Sequence, residues 1–111
     1  MDGSIERRLL ATVLKARRNY VVLGNFLGAE DFSDIGRIIY DQVGKYYEAD
    51  EAATMVDVPT FVSRLKRRYR TQADILSEVA ESCASLIDSI SEVNLLEEIF
   101  AQKVSDRKSV V

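Results

Sequence analysis

The chain has 111 residues, of which 47% are hydrophobic and 30% charged, and its formal net charge is −3. It contains one cysteine and no histidine, which excludes an internal disulfide bond and removes the commonest general base and zinc ligand. Its longest apolar run, residues 20–23, is too short to cross a bilayer. These features predict a single soluble domain of the cytoplasm that is not an enzyme.

The first residues have the apolar spacing of helices. Residues 4–18 place their apolar side chains on one stripe, and Ser4 is the predicted N-cap. Residues 20–26 predict a short second helix, which the region from Gly24 to Gly28 closes. We therefore expect two helices before residue 28.

A third helix is predicted over residues 33–48, with Ser33 or Asp34 as its cap. Gly36 and Gly44 lie inside this pattern, and each costs about 1 kcal/mol relative to alanine in a helix. They indicate either close contacts between helices or an error in the predicted boundaries. Three tyrosines of this helix are expected to be half-buried: Tyr40, Tyr46 and Tyr47.

A loop over residues 50–56 precedes a fourth helix, which Asp57 caps and which has Pro59 in its first turn. From residue 72 onward the chain has neither glycine nor proline, and its apolar residues form two successive stripes. These stripes belong either to one long bent helix or to an antiparallel hairpin that turns near residues 91–94. We favour the hairpin, because Ser91 is a good N-cap.

No run alternates with a period of two, so the predicted fold class is all-α, a compact bundle of five to six helices. We expect one domain over residues 1–111. It divides into a globular helical head, residues 1–71, and a C-terminal helical hairpin, residues 72–111.

Charge is distributed in blocks. Residues 64–72 carry five basic side chains and no acidic one, whereas residues 73–98 carry seven acidic side chains and no basic one. The candidate contacts with a partner or with phosphate are Arg64, Arg67, Arg68 and Arg70. Three interpretations are open: a solvated helix end that complements the helix dipole, a site for an acidic protein, or a nucleic-acid contact.

The sequence offers little support for a metal site, for catalysis by cysteine or for a phosphate-binding loop. The acidic residues lack the spacing of a calcium loop and are interpreted as helix caps and loop residues. Cys83 lies on an apolar stripe and is expected to be core. No phosphate-binding loop is present either. From these three observations together, we predict no catalytic, cofactor or metal site.

The order of segments resembles the N-terminal domain of DnaB-like replicative DNA helicases. The residues that carry the resemblance are Glu6, Leu9, Leu10, Thr12, Val13 and Leu14, then 27–32 (LGAEDF), then Arg37, Ile39, Tyr40, Val43 and Tyr46, then 56–61 (VDVPTF) with Leu65, and 100–107 (FAQKVSDR). The chain departs from the family pattern at Gly36, where the family usually has histidine, and in the unbroken region 72–111.

The resemblance implies a helical collar module of a hexameric helicase, which associates through its C-terminal hairpin and docks a primase or a helicase loader. ATP and magnesium would belong to a separate motor domain that this chain lacks. We expect either a fragment or a stand-alone relative, with weak or indirect contact with DNA.

The leading hypothesis is therefore a non-catalytic oligomerisation and docking domain that forms dimers or higher oligomers at micromolar concentration. The candidate self-association residues are Leu86, Ile90, Leu95, Leu96, Ile99 and Phe100. One alternative is a helicase-binding module of a primase or another replication partner. A less favoured alternative is a small DNA-binding regulator that uses residues 64–70.

Overall fold

A computed structural model describes residues 3–89 of the chain, without the side chain of Ser4. Five α-helices make up most of this part, and it contains no β-strand, so the predicted all-α class is confirmed. The helices are α1 (Gly3–Lys15), α2 (Arg17–Leu23), α3 (Asp34–Ala49), α4 (Val58–Arg68) and α5 (Ala73–Ser85), with 3-10 turns at Ala29–Asp31 and Ile87–Ser89. None of these helices is long and apolar enough to span a membrane.

Helix α1 is the central element of the bundle, because it packs against α2, α3 and α5. Its side chains Leu9, Leu10 and Leu14 are at most 1% exposed. The same core includes side chains from all the other helices, among them Leu23, Ile39, Val43, Phe61, Leu65, Leu76 and Cys83. Burial of each large aliphatic side chain contributes about 1.5–3 kcal/mol, so this core is the main source of stability.

The predicted helix over residues 4–18 is wrong at both ends. Helix α1 begins at Gly3, so Ser4 lies inside the helix and is not its cap. At the other end, Ala16 has an extended backbone (φ −156°, ψ 139°) and separates α1 from α2. The break occurs here because the Arg17 amide donates to the carbonyl of Thr54, at 2.8 Å, instead of continuing the α1 ladder.

The last turn of α1 is held by donors from other elements. A helix leaves its last four carbonyls without partners inside the helix. Three of them accept hydrogen bonds from outside it: Thr12 O from Asn19 Nδ2 (3.0 Å), Val13 O from Tyr47 Oη (2.6 Å) and Leu14 O from Val56 N (3.0 Å). These bonds join α1 to α2, to α3 and to the loop after α3, so they fix the position of the junction.

The predicted starts of the third and fourth helices are confirmed. The Ser33 hydroxyl accepts a hydrogen bond from Gly36 N at 3.3 Å at the start of α3. At the start of α4, the Asp57 carboxylate accepts from Thr60 N at 3.3 Å, and Pro59 lies in the first turn. Both caps satisfy amide groups that the helix itself leaves unpaired.

Helix α5 ends at Ser85, several residues before the predicted turn at 91–94. It packs against α4 and α1. Its residues Leu76, Ala80 and Cys83 are 0% exposed and belong to the same core as α1. The first segment of the predicted hairpin is therefore part of the bundle up to residue 89. Residues 90–111 lie outside the described residues.

The two glycines inside α3 mark close contacts with other helices. An ideal Cβ on Gly36 would lie 2.6 Å from the Glu6 carboxylate of α1. One on Gly44 would overlap the hydroxyl of Tyr20 and lie 3.0 Å from its Cζ. Of the two interpretations left open by the sequence, the close-contact interpretation holds at both positions.

Replacing Gly44 with alanine is expected to lower the free energy of unfolding by up to about 2 kcal/mol, because the overpacking cost of about 1–3 kcal/mol outweighs the gain of about 1 kcal/mol in helix propensity. The Tyr20 ring has little room to move, because it packs against Tyr40 and Tyr47 at centroid distances of 5.4 and 5.8 Å. Urea unfolding followed by circular dichroism measures the change. Adding Tyr20→Phe, which removes the hydroxyl, is expected to recover part of the loss. A Gly44→Ala variant more stable than the parent would contradict the contact.

Candidate functional site

Helices α3 and α4 border an open groove of about 540 Å³, called here the α3–α4 groove. Four exposed cationic side chains line it: Arg64, Arg67 and Arg68 from α4, and Lys45 from α3. Positions 64, 67 and 68 share one side of a helix, as the spacing predicts. Three guanidinium groups therefore face one concave surface.

Buried aromatic residues form the floor of this groove. Tyr46 and Phe61 both line it, and their rings meet edge to face at 6.4 Å between centroids. The Tyr46 hydroxyl accepts a hydrogen bond from Asp57 N at 3.1 Å, which fixes the ring against the start of α4. The Arg64 guanidinium lies 5.0 Å from the centroid of the same ring, a cation–π contact. This contact holds at least one of the cationic groups in place.

The groove is positively charged, and an acidic residue partly compensates the charge of Lys45, one of its four cationic residues. Lys45 forms an ion pair with Asp41 one turn earlier in α3, at 3.4 Å, and both side chains are about half exposed. Arg67 and Arg68 lie in the last turn of α4 together with Lys66, where positive charge also complements the helix dipole. Planar guanidinium groups suit carboxylate and phosphate ligands, since each presents two parallel donors.

The predicted contact residues are only partly brought together. Arg64, Arg67 and Arg68 line the groove, whereas Arg70 lies in the turn after α4 and does not line it. Lys45 was missed by sequence reasoning. The sequence shows no local signal for it, because its place in the groove depends on how α3 packs against α4.

The predicted self-association residues fall mostly outside the described part of the chain. Leu86 follows α5 directly and is partly buried against the core. The other five lie outside the described residues: Ile90, Leu95, Leu96, Ile99 and Phe100. Leu86 therefore already takes part in packing within its own chain.

Two of the acidic residues accept hydrogen bonds from nearby backbone amides, which fits their interpretation as cap and loop residues. The Asp31 carboxylate accepts from Gly28 N at 2.8 Å, and the Asp50 carboxylate accepts from Ala52 N at 3.2 Å. Over residues 3–89, no group of three or more histidine, cysteine, aspartate or glutamate residues is placed to hold a metal ion. Cys83 is buried, and burial raises the pKa of its thiol to about 11, so the thiolate is disfavoured.

The described fold thus offers a cationic groove with an aromatic floor, and a buried thiol whose pKa is raised above its ordinary value. Comparison of the chain with protein-family models, with curated proteins and with solved structures finds no match.

Proposed function

We propose that this chain is a non-catalytic docking and oligomerisation domain of the kind found at the N-terminus of replicative DNA helicases. The observation that carries the proposal is the alignment of Arg64, Arg67 and Arg68 along the α3–α4 groove. The groove is the docking site for an acidic segment of a replication partner, either a primase or a helicase loader. Residues 90–100 supply apolar positions for self-association.

The resemblance to the helicase family supports this proposal, because its motif residues have defined places in the fold. In the segment 27–32, Asp31 caps the backbone of Gly28, and the ring of Phe32 stacks on Tyr40 at 4.6 Å. In the segment 56–61, Asp57 caps α4, and Phe61 enters the core. Motifs that each begin a helix or fill the core are what a shared fold requires.

The departure from the family pattern at Gly36 also has a local explanation. The Glu6 carboxylate occupies the space next to Gly36 and accepts a hydrogen bond from the Ser33 hydroxyl at 2.9 Å. A larger residue at position 36 would displace Glu6 from this contact. The glycine is therefore matched to Glu6, and it does not argue against the proposed relationship.

Docking predicts that Arg67→Glu weakens binding of the partner about tenfold, whereas Lys66→Glu changes it little. Lys66 is the matched control, because it lies in the same last turn of α4 but does not line the groove. Both substitutions change the charge of the helix end by the same amount. If these cationic residues acted only through the helix dipole, the two variants would therefore change the affinity for the partner equally. Calorimetric titration of the full chain with a primase and, separately, with a helicase loader measures the affinities.

Three results would count against docking at the groove. The first is equal loss in the two variants. The second is no binding of either protein by the parent chain. The third is steeply salt-dependent binding of duplex DNA that Arg67→Glu abolishes, which would favour the DNA-binding alternative.

A further inference from the structure

Large apolar side chains are exposed beside the junction of α1 and α2. Val21 and Val22 are 61% and 40% exposed, and Met55, from the loop after α3, is 53% exposed. Together they line an open groove of about 700 Å³, called here the α1–α2 groove. Clustered exposed apolar residues of this kind mark interaction surfaces more often than scattered ones do.

The same groove is cationic. Lys15, Arg17 and Arg18 line it beside the apolar residues. The Arg17 guanidinium is committed to backbone carbonyls within the chain, but its positive charge remains in the groove. A ligand that matches this surface needs an apolar side chain with carboxylates close to it.

Helix α5 presents a surface with that chemistry. Ile75 is 48% exposed, the one large hydrophobic residue of α5 that is so exposed. Asp74, Glu78 and Glu81 are exposed on the same helix, and the acidic block that contains them, residues 73–98, has no basic residue. Ile75 and Glu78 are three positions apart and therefore neighbours on the helix surface. These four residues are called here the acidic face of α5.

We propose that the α1–α2 groove of one copy binds the acidic face of α5 of a second copy. Ile75 packs among Val21, Val22 and Met55, and the carboxylates of the face lie near Lys15 and Arg18. The inference rests on the self-association in the proposed function, but it uses residues other than 90–100 and leaves the α3–α4 groove free for a partner.

The two surfaces are different parts of the chain, so the contact joins copies head to tail. Each copy in a pair keeps one unused groove and one unused face. Such a contact closes into a ring when the rotation between copies permits, and otherwise it extends into a filament. The contact therefore supports assemblies larger than a dimer.

Two single substitutions and their mixture test the contact. Val21→Asp places a carboxylate in the apolar groove, and Glu78→Lys places a cation opposite Lys15 and Arg18. Each is expected to raise the dissociation constant of self-association at least about tenfold. Mixed in equal amounts, the two are expected to form a one-to-one heterodimer, because the first retains its face and the second its groove. Sedimentation velocity on the full chain measures the masses, and Ser63→Asp, on the exposed surface of α4, is the control.

Each result of this experiment either supports or overturns the head-to-tail contact. Heterodimer formation by the mixture, with unchanged helical circular dichroism in both variants, supports the head-to-tail contact. A dissociation constant of self-association that stays unchanged in both variants overturns it and leaves self-association through residues 90–100 in place. Loss in both variants without recovery in the mixture also overturns it, as does a parent chain that stays monomeric. Docking of a primase or loader in the α3–α4 groove is measured separately and can survive each of these results.

Discussion

Replacing Arg17 with alanine is expected to lower the free energy of unfolding by about 3 kcal/mol. The Arg17 guanidinium donates to three backbone carbonyls near the end of α3: Ala53 O at 2.6 Å, Tyr47 O at 2.9 Å and Asp50 O. It also lies 4.9 Å from the centroid of the Tyr47 ring. Hydrogen bonds from a charged donor contribute about 1.5–3 kcal/mol each but are not additive within one group. The expected loss therefore lies at the upper end of the range for one such bond and below the sum of three.

Urea unfolding at neutral pH measures this loss, and two further variants define its cause. Arg17→Lys keeps the charge but not the planar fork, so we expect it to recover only a minor part of the stability. Arg70→Ala removes an exposed arginine from the turn after α4 and is expected to change the free energy by about 0.5 kcal/mol or less. Equal losses in Arg17→Ala and Arg70→Ala would show that the carbonyl contacts do not stabilise the fold.

The buried hydroxyl of Tyr47 makes the stability of the fold depend on pH in the alkaline range. Burial raises the pKa of Tyr47 to about 12, and the Arg17 guanidinium opposes part of that shift. Because this pKa lies above the ordinary value near 10, folding favours the protonated hydroxyl, which donates to Val13 O. That contribution is complete below about pH 10 and is lost as the pH rises through about 12.

The parts of the fold that the sequence predicted well are those governed by local rules. Ser33 and Asp57 are side-chain caps, and Pro59 fits only the first turn, so the starts of α3 and α4 follow from a few neighbouring residues. The end of α1 follows no such rule. Its break at Ala16 depends on the hydrogen bond from Arg17 N to Thr54, which is distant in sequence. Helical spacing alone extends α1 through that break.

The same distinction applies to the candidate site. The shared face of Arg64, Arg67 and Arg68 follows from the helical repeat, since all three lie on one helix. That they meet Lys45 and the ring of Tyr46 depends on the packing of α3 against α4. The tyrosines of α3 show this as well: they were expected to be half-buried, yet Tyr46 and Tyr47 are 8% and 2% exposed. Burial depends on partners that periodicity does not specify.

Replacing Phe61 with alanine is expected to have the largest effect on stability, a loss of about 3–5 kcal/mol in the free energy of unfolding. Phe61 is 2% exposed and is among the largest fully buried side chains of the described core. Its removal leaves a cavity between α4 and the Tyr46 ring, which it contacts edge to face. Phe61→Leu retains most of the volume, so we expect it to cost less than about 1.5 kcal/mol. Urea unfolding of both variants gives the two values.

Phe61 also tests whether the α3–α4 groove is a preformed site, because it lines the groove beneath the arginines. Without Phe61 the Tyr46 ring loses one neighbour, and the Arg64 guanidinium rests on that ring. Docking of a primase or loader should therefore weaken in Phe61→Ala even at temperatures where the variant is fully folded, while Phe61→Leu should bind nearly as the parent does. Calorimetric titration below the unfolding transition separates the two effects. Unchanged affinity in a folded Phe61→Ala variant would mean that the arginines bind as independent surface charges and that the aromatic floor does not organise them.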